Sequence, residues 1–275
     1  MYTLNCKGRL LVLDKPVVMG ILNLTPDSFY SGSRVEQSDV VQKARQMINE
    51  GAAIIDIGGQ STRPGSNRLT ADEELQRVLP AIEVIKKEFP SIFLSIDTYH
   101  AKVANETVAA GIDIVNDISA GDLDAGMLPT VGRLKVPFIA MHMQGTPDTM
   151  QQNPTYGNIT REVVDYFIQK ITDCKTAGIV DLILDPGFGF GKTITHNFQL
   201  LKNMEALQIF QLPILAGLSR KSTIWKTLQI SAEEALNGTS VLNTIALTKG
   251  AGILRVHDVK EAVEAIKLYE AYSNS

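Results

Sequence analysis

The side chains able to do chemistry in this chain stand where short apolar runs end. In order they are Asn23, Asp56, Asp97, Asn116, His142, Asp185, the group Ser219-Arg220-Lys221, and Arg255 with His257. Taken singly, an Asp or Asn in such a place is a helix cap or a turn former. Together they are amide and carboxylate acceptors matched with cations. No nucleophilic serine or cysteine is set beside a histidine, which disfavours covalent acyl transfer, and the histidines lack the spacing of a zinc-ligand pair. The set suits recognition of a polar edge and of an anion.

The stretch Asp185-Pro-Gly-Phe-Gly-Phe-Gly-Lys192 carries this pattern furthest. A carboxylate ends the apolar run Leu182-Ile183-Leu184. Three glycines then let backbone approach a bound group, while Phe188 and Phe190 offer flat walls. Such a loop fits a flat heterocycle held by its edge. A phosphate-cradling loop needs four residues between its first glycine and the Gly-Lys pair, whereas Gly187 and Gly191 enclose three. The dinucleotide fingerprint fails as well, because the glycines run Gly-x-Gly-x-Gly. The plain alternative is an ordinary strand-to-helix turn with Asp185 as a helix cap.

Elements that would position these residues recur along the chain. Tyr2 to Cys6, a Lys7-Gly8-Arg9 turn and Leu10 to Leu13 read as a hairpin ending at Pro16, able to plug the bottom of a barrel. β-rich runs then alternate with helical patterns: Val17 to Asn23 with Ser38 to Glu50, Ala53 to Ile57 with Ala71 to Glu88, and Ile92 to Ile96 with His100 to Ala110. Next come Ile112 to Asn116 with Leu123 to Leu134, and Pro137 to Met141 with Thr160 to Ala177. Asp181 to Leu184 precedes a helix from Asn197, Pro213 to Gly217 has a helix of its own, and Gly252 to Val256 precedes a last helix to about Tyr272. Continuous apolar strands imply parallel pairing with helices outside. Eight such units predict a single (β/α)8 TIM barrel, with the hairpin over 1–16 and the barrel over 17–275 in one domain. Barrel chemistry gathers at the C-terminal ends of the strands, where the polar residues fall.

Composition narrows the partners. An apolar fraction of 44% supports a sizeable core, and a formal net charge of −4 argues against a nucleic-acid or anionic-membrane surface. Cys6 and Cys174 lack metal-type spacing and read as reduced packing residues. With no apolar leader and no run of membrane-spanning length, the cytoplasm is the expected location. Two early loops are long, Leu24 to Val35 and Gly58 to Leu69, as lids and binding loops are. Arg63, between Thr62 and Pro64, is poised to grip an anion.

Eight segments together resemble the dihydropteroate synthases of the folate pathway. They are Asn23-Leu-Thr-Pro-Asp-Ser-Phe29, Gly58-Gly-Gln-Ser-Thr-Arg-Pro-Gly65, Ser95-Ile-Asp-Thr98, Val115-Asn-Asp117, Met141-His-Met-Gln-Gly145, Asp185 to Phe190, Ser219-Arg-Lys221 and Arg255-Val-His-Asp258. The resemblance spans nearly the whole chain. It implies a transferase that joins 4-aminobenzoate to the methylene carbon of a 7,8-dihydropterin methyl diphosphate and releases diphosphate with Mg²⁺. Cobalamin-linked methyltransferases share Asp97, Asn116 and Asp185, but they do not need the Thr-Arg-Pro loop, the Ser-Arg-Lys turn or the Arg-x-His pair. A non-catalytic pterin-binding paralogue is the remaining alternative.

By this resemblance Asp185, Asn116 and Asp97 hold the pterin edge, and Asp97 also stabilises positive charge spread over the ring. A carboxylate can accept from an amino group and a ring N–H at once. Lys221 meets the carbonyl oxygen and a ring nitrogen, Arg255 lies on the ring face, and Met141, Phe190 and Gly217 form walls. Asn23, Arg63, Arg255 and His257 take the diphosphate, with Asn23 also a Mg²⁺ ligand. Phe29, Thr62, Pro64, Phe190, Lys221 and Ser222 form the aminobenzoate pocket. Catalysis falls to Asp97, Arg63 and Lys221, through charge stabilisation and without a general base. Asp56 and His142 are expected to scaffold loops, His100 and His196 to start helices, and Trp225 to pack near the seventh loop. Gln60 departs from the family, many of whose members carry Glu at this position. A homodimer is implied, with the outer helices Ala232 to Lys249 and Val259 to Tyr272 as the candidate surface.

Overall fold

The computed structural model describes residues 1–24, 34–60 and 68–275. Strands β1 (Tyr2–Cys6) and β2 (Arg9–Leu13) form the antiparallel hairpin, turning at Lys7 and Gly8, both of positive φ. Then β3 (Val17–Asn23), β4 (Ile54–Gly58), β5 (Phe93–Asp97), β6 (Ile114–Asp117), β7 (Phe138–Met141), β8 (Leu182–Asp185), β9 (Leu215–Ala216) and β10 (Ile253–Val256) pair in parallel. Their order is β8-β7-β6-β5-β4-β3-β10-β9, and a parallel bridge between Leu184 and Ile214 joins the two ends into a barrel.

Helices α1 (Arg34–Glu50), α2 (Ala71–Glu88), α3 (Ala101–Ala110), α4 (Met127–Leu134), α5 (Ile159–Thr176) and α6 (Ile194–Lys202) follow β3 to β8 in turn. Two helices, α7 (Ser222–Leu228) and α8 (Leu236–Thr248), follow β9, where one was expected, and α9 (Val259–Ser273) follows β10. Other boundaries moved for local reasons. The helix expected from Leu123 starts at Met127 because Asp124 is used in a turn, accepting from the N–H groups of Gly126 at 2.9 Å and Ala101 at 2.8 Å. The helix expected from Asn197 starts at Ile194, since Thr193 and His196 form a reciprocal capping box.

Strand alternation divides the barrel into two lateral environments. Val18, Ile55, Leu94, Val115, Phe138, Leu182 and Leu254 point outward under the helices. Met19, Ile54, Ile114, Ile139, Ile183, Leu215 and Ile253 point inward at the N-terminal half, where they pack with Leu4, Cys6, Leu11 and Leu13 of the hairpin. The hairpin therefore plugs the bottom. Each such fully buried aliphatic side chain contributes roughly 1.5–3 kcal/mol, so the floor tolerates no polar exchange. Arg9 pins the hairpin by donating to the Ser91 carbonyl at 2.9 Å and pairing with Asp113 at 2.7 Å.

Candidate active site

Two residues further along, the same inward face becomes polar on most of the strands. Asp56 follows Ile54, Asn116 follows Ile114, Asp185 follows Ile183, Arg255 follows Ile253, and Met141 and Gly217 follow Ile139 and Leu215. Asp97 occupies the matching place on β5, paired in register with Gly58 and Asn116, and Asn23 pairs with Gly58 on the other side. The apolar floor thus carries a polar layer facing the C-terminal mouth. Gly58 leaves room within it, because a Cβ there would lie 3.4 Å from Asn23 Oδ1.

Arg255 is the hub of this layer. Its Nε donates to Asp56 Oδ2 at 2.6 Å, and a terminal nitrogen donates to Asp97 Oδ2 at 2.6 Å. Asn116 Nδ2 donates to the same Asp56 oxygen at 3.0 Å. Asp56 was expected to scaffold a loop; it is fully buried and holds two neighbouring side chains instead. The sequence marked it only as a strand-end carboxylate; its inward direction follows from Ile54 two residues before it, which packs in the barrel floor.

Asp185 is not a helix cap. It accepts the Gly187 N–H at 2.7 Å in a tight turn, while Thr193 caps α6. Lys221 Nζ lies 4.7 Å from the centre of the Phe190 ring and donates to the Phe188 carbonyl. A Cβ at Gly217 would sit 3.8 Å from Lys221 Nζ and 4.0 Å from Asp185 Oδ2, so glycine keeps the space between the two charges open. Met141 is buried and packs with Tyr99 and Ile118, with Phe190 against them.

Burial sets the electrostatics. It pushes the Asp97 carboxyl up to about 7, with Arg255 opposing the shift, and raises Asp185, with Lys221 opposing. Burial also brings Lys221 down to about 8, against the pull of Asp185.

At the edge of the mouth, His257 donates its backbone N–H to Ser219 Oγ at 3.2 Å, and Ser219 Oγ meets His257 Nδ1 at 3.0 Å. One residue outward on each loop, Arg220 grips Asp258 through Nε and a terminal nitrogen at 2.9 and 2.8 Å. Arg220 adopts φ +53°, in the left-handed region. Sequence reasoning treated Arg220 only as part of a motif, and its partner lies 38 residues away. Ser222, half-buried, opens α7 beside Lys221.

Phe29, Thr62, Arg63 and Pro64 lie outside the described residues. The base of the second loop is described: Gln60 Oε1 accepts the Leu69 N–H at 3.0 Å, and Gln60 Nε2 donates to the Tyr99 hydroxyl. A neutral amide at position 60 therefore serves both directions. His142 does scaffold, receiving Lys192 at 2.9 Å. His100 precedes α3 without a side-chain cap, and Trp225 packs half-buried against the core.

The family model for "Pterin binding enzyme" matches residues 19–257. The chain is 46% identical to a dihydropteroate synthase of Escherichia coli over 268 residues, covering 96% of this chain and 94% of that relative. It overlays the Yersinia pestis dihydropteroate synthase, solved in a sulfonamide drug complex, with a TM-score of 0.94 and 42% identity over 100% of both chains. A Xanthomonas albilineans dihydropteroate synthase solved with 4-aminobenzoic acid gives 0.92 and 39%, covering 99% of this chain and 98% of that one. The chain belongs to the pterin binding enzymes, in the dihydropteroate synthase branch of that family.

Proposed function

We propose that the polar layer binds a 7,8-dihydropterin methyl diphosphate and transfers its methylene carbon to 4-aminobenzoate. The carrying observation is Arg255 held between Asp56 and Asp97 above an apolar floor, with Asn116, Asp185 and Lys221 around the same opening. Asp185 and Asn116 take the ring edge with its adjacent donors, Lys221 takes the ring carbonyl, and Arg255 covers the ring face. Met141, Phe190 and Gly217 wall the ring.

The methylene C–O bond breaks first, and the electron pair leaves with diphosphate. Asp97 stabilises the cation that remains on the pterin, and Asn23, Arg63, Arg255 and His257 stabilise the growing phosphate charge. The arylamine nitrogen then bonds to the methylene carbon and releases its proton to solvent. The amine is already nucleophilic, so no general base is required. Phe29, Thr62, Pro64, Phe190, Lys221 and Ser222 hold the aminobenzoate.

Asn23 is exposed at the mouth, and the described residues contain no group of three His, Cys, Asp or Glu fit for a metal ion. The single side-chain oxygen of Asn23 fits Mg²⁺, which keeps several waters and is held largely through substrate phosphates. Bound through Asn23 Oδ1, it would neutralise charge on the leaving diphosphate.

We also read the chain as a cytoplasmic homodimer. Among the described residues no helix is long and apolar enough to cross a membrane, and both cysteines are buried and free, as a reducing compartment allows. Val241 and Ile245 on α8 and Leu268 and Tyr272 on α9 expose apolar surface suited to a second copy. Sedimentation that reports a monomer at assay concentration would remove the dimer.

The deciding assay follows diphosphate and dihydropteroate in one tube, with Mg²⁺, with and without 4-aminobenzoate. Equal amounts of both products are expected. Tight pterin binding without diphosphate release would reduce the site to recognition alone.

A further inference from the structure

Lys192 closes the glycine-rich stretch after Asp185, and the transfer chemistry makes no use of it. Its side chain is nearly fully buried, at 3% exposure. Among the described residues no carboxylate pairs with it as a salt bridge. Nζ instead meets the Gly187 carbonyl at 2.9 Å, the Phe190 carbonyl at 3.0 Å, the His142 carbonyl at 3.2 Å and His142 Nδ1 at 2.9 Å. In its charged form the amine has three protons for these four partners, so one is shared. Burial lowers the lysine well below 10.5 and brings His142 down to about 3, the latter aided by the lysine charge, so the imidazole stays neutral and its Nδ1 can accept.

The glycine spacing explains how carbonyls reach this amine. Gly187, Gly189 and Gly191 all have positive φ, at +70°, +82° and +60°. Alternating left-handed residues curl the chain so that the carbonyls of Gly187 and Phe190 turn inward. A Cβ at Gly187 would fall 1.9 Å from the His142 carbonyl, and one at Gly191 would fall 2.4 Å from the Gln144 carbonyl, so the loop lies directly on the β7 loop. The loop is also tied from outside. Asn197 Oδ1 accepts the Gly189 N–H at 2.7 Å, and Tyr156 donates to the Gly191 carbonyl at 2.8 Å.

The same loop presents its other surface to the site. Phe188 offers its carbonyl to Lys221, and the Phe190 ring stands against the Lys221 ammonium. One loop therefore lies between two lysines, with Lys192 behind it and Lys221 in front.

We propose that Lys192 is a positioning residue of the transfer reaction: bound to the carbonyls of Gly187 and Phe190 and to His142, it fixes the wall that Lys221 and the arylamine substrate rest against. This rests on the assignment of Phe190 and Lys221 to the aminobenzoate pocket. Asp185 and Asn116 stand on β8 and β6, so the pterin keeps strand-borne holds, although Asp185 also accepts the Gly187 N–H at 2.7 Å. Loss of Lys192 should therefore weaken the amine substrate more than the pterin.

The test compares Lys192→Met with Lys170→Met. Lys170 is also buried, pairs with Asp122 at 2.6 Å, and lies outside the site, so it controls for loss of a buried amine. Melting temperature and both KM values are measured, with Phe190→Ala alongside. Lys192→Met is expected to raise the 4-aminobenzoate KM by about tenfold and the pterin KM by less than about threefold. Lys170→Met should lower the melting temperature and move neither KM. If Lys192→Met does not fold, Lys192→Gln, shorter but with two N–H donors, must show the split in the same direction and smaller in size. Equal changes in both KM values, or none, while Phe190→Ala raises the amine KM, would overturn the role of Lys192. An unchanged amine KM in Phe190→Ala would instead reject the pocket assignment.

Discussion

Arg255 Nε and Asp56 Oδ2 are 2.6 Å apart at the centre of the barrel, although 199 residues separate them in the chain. The same carboxylate oxygen takes the Asn116 amide at 3.0 Å, so Asp56 orients together the cation and the amide proposed for the pterin face and edge. Asp56→Asn can keep an amide oxygen facing both donors but removes the charge opposite Arg255 and so loosens Arg255 toward Asp97. The pterin KM should rise about tenfold or more, in line with loss of a charge-assisted hydrogen bond. A double-mutant cycle with Asp97→Asn should be non-additive, because both carboxylates share Arg255. Additive effects would separate Asp56 from the site.

The pH dependence of kcat/KM should be a narrow bell. Asp97 must be ionised, and burial holds it at about 7, so activity rises with pH through that value. Lys221 must be charged, and burial brings it to about 8, so activity falls above that value. Lys221→Arg should lower activity and carry the alkaline limb out of the measured range, since arginine remains protonated. An unmoved alkaline limb would assign it to another group.

Glu74 on α2 predicts a separate pH effect on stability. One oxygen accepts Thr98 Oγ1 at 3.1 Å, and the other has no partner among the described residues. Burial pushes its carboxyl from 4.5 up to about 8. The folded state therefore binds a proton that the unfolded chain releases. Its stabilising contribution is full below 4.5 and is lost as pH rises through 8. Glu74→Gln should flatten the fall in urea-unfolding free energy between those values. An equal slope in both proteins would contradict the assignment.

The barrel floor should respond in stability without a change in chemistry. Leu11 on the hairpin is 4% exposed and packs with the inward Ile layer. Leu11→Ala should cost about 2–5 kcal/mol and leave both KM values unchanged at low temperature. Thermal unfolding and steady-state rates measured on the same sample test both halves.

Removal of Mg²⁺ by a chelator should suppress diphosphate release while pterin binding persists. Asn23→Ala should raise the Mg²⁺ concentration needed for half-maximal rate. Unchanged Mg²⁺ dependence would place the ion on substrate phosphates and water alone.

The barrel and much of its polar mouth were legible because eight short continuous apolar runs alternate with helical patterns and a polar residue stands at the end of most of them. Inward Ile at one turn of the pleat and inward Asp or Asn at the next mark a floor and a mouth on the same face. The second helix after β9 was not expected, since the seventh unit was given one helix, whereas α7 ends at Leu228 with Gln229 at φ +57°. Arg220 and Lys192 were visible only as charged residues in motifs. Neither their burial nor their partners follow from local spacing.

The sequence by itself determined the residue types at the strand ends, the glycines that permit positive φ, and the short continuous apolar runs between helical patterns that imply a parallel barrel. Those are properties of single residues and near neighbours, set by backbone sterics and hydrophobic periodicity. Only the tertiary structure decided that Asp56 shares Arg255 with Asp97, that Arg220 grips Asp258, and that Lys192 turns inward while Lys221 turns toward the site. Each of these depends on which strand ends meet around the barrel and on how deeply a charge is buried. Pairing across the ring and desolvation arise only once the ring has closed.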